Sequence, residues 1–175
     1  MLIFAIKNGD VTVMYSIGDR IVYPMHGAGV IEAIEEKEIL GELQRYYVMK
    51  LPFGDMKVMI PILNVSKIGI RDVIDKSEVE KVYDSFREDV TEPLLSWNKR
   101  VRENMAKIKS GNIYEVAKVV KMLMCRDMKK SLSTGEKKML SNAKQILISE
   151  LVLANGDTEQ VVEARLDEIL IEEMG

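Results

Sequence analysis

Apolar residues recur along this 175-residue chain with two different periods, and the change falls near residue 70. Before it, short runs rich in Val, Ile and Tyr alternate with turn residues, the pattern of half-buried strands. Arg20-Ile21-Val22-Tyr23 is a strand stopped by Pro24, and Gly29–Glu35 opens a longer one. Leu40-Gly41-Glu42 makes a hairpin turn into Gln44–Leu51, and Pro52-Phe53-Gly54-Asp55 turns the chain again into Met56–Pro61. Pro24, Pro52 and Pro61 fall at strand ends, where a missing N–H is tolerated. Four or five short antiparallel strands within about 55 residues are too few for a large sandwich; they predict a small, strongly curved SH3-like or Tudor-like β-barrel.

After residue 70 the period is helical and start signals repeat. Ser77 with Glu80, Asn112 with Glu115, and Ser133 with Glu136 each set a capping residue three positions before a glutamate. Gly111 and Asn155-Gly156 supply stops. The spacing predicts five helices near 77–87, 95–109, 112–130, 133–154 and 158–173. Val116, Val119, Val120 and Leu123 recur at 3–4 spacing, so the helices share a core. The fold class is therefore α+β, a small N-terminal β-barrel over residues 14–70 followed by an all-α helical bundle over 71–175. Met14 offers an alternative start, which sets residues 1–13 apart as an extension of native or artefactual origin.

Composition is that of a globular chain, 47% hydrophobic and 30% charged, rather than a disordered one. No apolar run approaches the roughly 20 residues that span a bilayer, so no membrane partner is expected. Residues 1–13 lack a basic n-region and a long h-region and make a poor signal peptide. A single cysteine, Cys125, excludes an internal disulfide and fits the reducing cytoplasm. Charge changes the picture most. The net of −3 hides a net of −1 over residues 1–70, −4 over 71–95, +9 over 96–144 and −7 over 145–175. Such a basic block points to an anionic partner such as nucleic acid, or to basic helices packing beside the acidic tail.

Catalytic constellations are sparse. One histidine, His26, and one cysteine cannot build the common N/S zinc site, and no cofactor is expected. Cys125 reads as a small buried or boundary apolar residue. Gly27-Ala28-Gly29 is not followed by a helix and reads as a turn or bulge rather than a phosphate loop. No catalytic residue is assigned; a hydrolase would have only His26 as a histidine base.

The most informative residue is Trp97, the only tryptophan, in Ser96-Trp97-Asn98-Lys99-Arg100-Val101-Arg102. Trp97, Val101, Met105 and Ile108 share one helical face, which argues for the core. A planar apolar ring in a first helical turn, beside Lys99, Arg100 and Arg102, also has the parts of a DNA minor-groove wedge. The residues alone leave both readings open.

Longer strings carry a family resemblance. Ser16-Ile17-Gly18-Asp19 with Val22-Tyr23-Pro24-Met25-His26-Gly27-Ala28-Gly29 resembles the opening of the bacterial CarD-like (CdnL) transcription regulators. Tyr47–Leu51, Ile60-Pro61 with Asn64, and Ile68-Gly69-Ile70-Arg71-Asp72 continue the likeness, as do Trp97 with Lys99-Arg100, Ser110-Gly111-Asn112 and Leu132–Leu140. It covers about residues 14–173. The resemblance implies a Tudor-like domain that docks on the RNA polymerase β subunit, similar to the polymerase-binding module of the transcription-repair coupling factor. It also implies a helical domain that contacts promoter DNA, with little sequence specificity, at the upstream edge of the melted bubble. On that likeness Trp97 is the wedge, with Lys99, Arg100, Arg102, Arg126 and Lys137 as phosphate contacts. Lys37, Arg45 and Met59 are the polymerase-facing candidates; Lys37 and Met59 stand where arginines can occur in the family, and Met59 departs from its pattern. A protein-interaction adaptor without direct DNA contact is the alternative, and the oligomeric state stays open.

Overall fold

The computed structural model describes residues 3–7, 10–89 and 95–174, with side chains described within those ranges from Met14 to Glu173. Met1, Leu2, Asn8 and Gly9 of the segment set apart before Met14 lie outside the described residues. Within that segment Ile3–Lys7 (β1) and Asp10–Met14 (β2) pair antiparallel as a two-stranded sheet of their own.

Five further strands form one antiparallel sheet: Arg20–Tyr23 (β3), Gly27–Ile39 (β4), Glu42–Lys50 (β5), Lys57–Pro61 (β6) and Arg71–Asp72 (β7), in the order β6-β5-β4-β3-β7. β4 is the long strand expected there, and β5 pairs with it as far as Ile39↔Glu42 at the hairpin tip. The register shifts between Ile31 and Ala33, a bulge that bends β4 and curls the sheet around its core. Tyr15, Ile21, Ile31, Tyr47, Met49 and Ile60 fill that core. A short helix, Val65–Ile68 (α1), follows β6. The two-residue β7, too short to register as a periodic run, carries the sheet just past residue 70.

The helical part comprises Val79–Arg87 (α2), Trp97–Lys109 (α3), Ile113–Lys129 (α4), Thr134–Asn155 (α5) and Glu159–Met174 (α6). Val116, Val119, Val120 and Leu123 are buried together with residues of α2, α5 and α6, as their spacing requires. Only one of the three expected capping boxes closes, that of Ser133 and Glu136. Asn112 accepts from the Tyr114 N–H while Glu115 pairs with Lys118. The first long helix is entered through a 3-10 turn at Lys76–Glu78, so Asp75, not Ser77, supplies the capping oxygen.

The turn after β3 seats the sheet on α5. Gly27 has φ +104, and a Cβ there would stand 2.6 Å from Ser149 Oγ and 3.4 Å from Ile146 Cα. Ser149 Oγ accepts from the Ala28 N–H at 2.9 Å and donates to the Ile146 carbonyl at 2.8 Å, so this buried hydroxyl is satisfied. Beside it, Arg71 makes a bidentate pair with Glu150 at 2.6 and 2.8 Å. The same guanidinium donates to the Gly111 carbonyl at 2.7 and 2.9 Å, and Glu150 also accepts from the Ile74 N–H at 3.0 Å. Gly27-Ala28-Gly29 is thus a close-approach surface between sheet and helix. Gly27→Ala is expected to cost about 2 kcal/mol or more, combining left-handed strain with overpacking. The midpoint of urea unfolding checks it.

Candidate nucleic-acid interface

Trp97 is the first residue of α3, after Ser96 in extended conformation. The residue is 49% exposed. The indole N–H donates to Ser133 Oγ at 3.4 Å, and a Cβ at Gly135 would lie 3.9 Å from Cζ2. The ring therefore rests on the start of α5, close enough that a Cβ at residue 135 would only touch it. The starts of α3 and α5 thus meet at this side chain.

What joins the two helix starts is Glu136. Its carboxylate accepts from the Ser133 N–H at 3.1 Å and the Ser133 hydroxyl at 2.8 Å, closing the capping box. The other oxygen faces Arg100 Nη2 at 3.5 Å and Arg126 Nε at 3.6 Å. Arg100 also donates to the Leu95 carbonyl at 2.7 Å, fixing the chain that leads into α3. One carboxylate thus gathers α3, α4 and α5 beneath the tryptophan. Burial opposes the charged form of Glu136, but the Ser133 hydroxyl and N–H and the two guanidiniums outweigh it and hold its pKa below the usual range. A depressed folded pKa gives stability that is complete above the ordinary glutamate value of about 4.3 and lost as pH falls through the lower folded value. The stability gap between wild type and Glu136→Gln is therefore expected to shrink as pH falls below about 4. Denaturant midpoints at pH 7 and pH 3 test this.

The basic block divides between two uses. Lys121 on α4 pairs with Glu173 at 2.5 Å and donates to the Glu88 carbonyl, and Lys144 faces Glu163 at 3.6 Å. These cations pack against acidic segments of the same chain. Lys99 and Arg102 on α3 and Lys137 on α5 are exposed and have no ion pair among the described residues. Arg100 and Arg126 are partly buried against Glu136 rather than directed wholly to solvent. The Ser133–Glu136 spacing was legible as a cap; its seat under Trp97, 36 residues away in sequence, was not.

On the sheet, Lys37 pairs with Gln44 and Met59 with Val48, which puts both on one face by alternation. Arg45 falls on the opposite face, opposite Glu36, with Nε 3.5 Å from its carboxylate. His26 is exposed in the turn after β3, its ring 4.4 Å from that of Tyr23. Cys125 lies on α4, where burial raises its thiol pKa and disfavours the nucleophilic thiolate.

A curved five-stranded sheet locked to a helical bundle, with an exposed tryptophan at the bundle's helix starts, defines a class for which comparison is decisive. Residues 15–74 match the family described as the CarD-like/TRCF RID domain, and residues 81–167 match the CarD C-terminal domain. The chain belongs to the CarD-like family of transcription regulators, which is not a family of enzymes. A Bacillus subtilis (strain 168) protein named "Putative transcription factor YdeB" is 46% identical over 151 residues, covering 86% of this chain and 99% of that protein. The RID match implies interaction with RNA polymerase in general. No helix among the described residues is long and apolar enough to cross a membrane.

Proposed function

We propose that this CarD-like regulator docks through residues 14–70 on the β subunit of RNA polymerase and holds promoter DNA open with Trp97. The helical part, residues 71–175, carries the DNA contact, and no chemical step is involved. The observation that carries this reading is the half-exposed indole over the start of α5, with Lys99, Arg102 and Lys137 exposed on the same two helices and without an ion pair among the described residues. Lys99, Arg102 and Lys137 serve as phosphate contacts. Arg100 and Arg126 keep the frame rigid through Glu136 while their second charge leaves the cluster net positive.

The mechanism is differential binding. A wedge that fits only the distorted minor groove favours the open complex by its difference in affinity for the two states. Unstacking a base step costs a few kcal/mol, which phosphate contacts and tethering must offset. Tethering to polymerase makes the DNA contact intramolecular, which suits a chain whose net charge is −3. The sheet is locked to α5 through Arg71–Glu150, so docking the barrel aims the tryptophan. The test is the lifetime of promoter open complexes formed by purified polymerase with wild-type chain or Trp97→Ala. Retained polymerase binding with an unchanged lifetime would sink the wedge and favour an adaptor without DNA contact.

A further inference from the structure

Beyond the part of the sheet flanked by β3 and β6, the β4–β5 hairpin continues as a two-stranded arm. β6 pairs with β5 only from Lys50 to Tyr46, so residues 36–45 have no third strand among the described residues. The end of this arm is apolar: Ile39 is 42% exposed, Leu43 74% and Leu40 101%. Isolated exposed apolar residues need no explanation; here Ile39 and Leu43 stand on opposite faces of the ribbon with Leu40 at its end, so the tip is apolar on both sides.

Turn chemistry makes the tip more telling. Leu40 and Gly41 are the two central residues of the hairpin turn, with φ +53 and +79. A two-residue turn with both φ positive favours Asn-Gly or Asp-Gly, because a leucine Cβ is strained there. Leu40 thus meets the turn's demand poorly while burying nothing within the chain. A residue that breaks a local rule without a packing gain marks a contact made elsewhere.

The charges on the arm narrow the occupant. On the arm Glu36, Glu38 and Glu42 outnumber Lys37 and Arg45 by one, and Arg45 is engaged by Glu36. An acidic stem repels DNA phosphates and anionic membrane surfaces. It suits a protein pocket with an apolar floor and a cationic rim. The arm belongs to the domain that matches the RID family, and Lys37 lies on it.

We infer that Leu40, with Ile39 and Leu43, is an apolar anchor that inserts into a cation-rimmed pocket on the RNA polymerase subunit that the barrel engages. This rests on the polymerase-docking reading above. The anchor supplies buried apolar area, the acidic stem selects the pocket, and the absence of β6 beside residues 36–45 lets the arm enter without disturbing the barrel core.

The experiment titrates the full chain against purified core polymerase, comparing wild type with Leu40→Asn and with Leu40→Asn/Leu43→Thr. The double variant is expected to bind at least about tenfold more weakly. Leu40→Asn should show an equal or higher Tm, because asparagine accepts the left-handed turn, so weaker binding does not reflect unfolding. Wild-type affinity in the double variant overturns the anchor while leaving polymerase docking intact. Failure of the wild-type chain to bind polymerase overturns both. Sedimentation of the free chain supplies the last arm: a wild-type dimer that the double variant cannot form assigns the tip to a second copy and also overturns the proposal.

Discussion

Promoter open complexes formed with the Trp97→Ala chain are expected to decay about 5- to 150-fold faster than with wild type, the kinetic equivalent of losing about 1–3 kcal/mol of aromatic–base contact. Trp97 is already half exposed, so the same change should cost the fold less than about 2 kcal/mol. Function and stability therefore separate at this position, which is not so for a core tryptophan. Trp97→Phe keeps a stacking face but loses the indole N–H that reaches Ser133, and an intermediate lifetime is expected. Decay followed by competitor challenge on a single promoter, at fixed salt, measures the series. A parallel polymerase-binding assay must stay unchanged, since the barrel is untouched.

Arg71→Ala is expected to produce the largest loss of stability. Glu150 is 1% exposed, and removing its partner leaves a buried carboxylate with only the Ile74 N–H among the described residues. Breaking a buried ion pair in this way costs about 3–5 kcal/mol, a large part of a total near 5–15 kcal/mol. The Gly111 carbonyl loses its donors in the same stroke. In a chain of this size the Tm should fall by about 10 °C or more. A double replacement, Arg71→Met with Glu150→Met, should recover much of the loss, because an apolar pair leaves no uncompensated charge. Thermal unfolding of the three variants decides between an electrostatic lock and simple packing.

Local order was largely legible from local residues. Alternating Val, Ile and Tyr before residue 70 and 3–4 spacing after it describe the strands and helices that form. Positions whose requirements come from distant residues were less so. Gly27-Ala28-Gly29 read as a bend of the barrel, yet its small size answers to Ser149 and Ile146, more than a hundred residues later. β7 escaped notice because two residues show no period, and only pairing with β3 makes them a strand.

Charge shows the same division. The sequence by itself determined the α+β class, the family and a basic block from residue 96 to 144, since these depend on composition, period and strings of neighbours. It also singled out Trp97 while leaving core and surface both open. Only the tertiary structure decided that the indole stands half exposed over Ser133, that Arg100 and Arg126 face Glu136, and that Lys121 faces Glu173. The reason is that secondary structure obeys a short-range code of spacing and capping, whereas a charge finds its counter-ion through space. Chain distance carries no record of that meeting until the helices have packed.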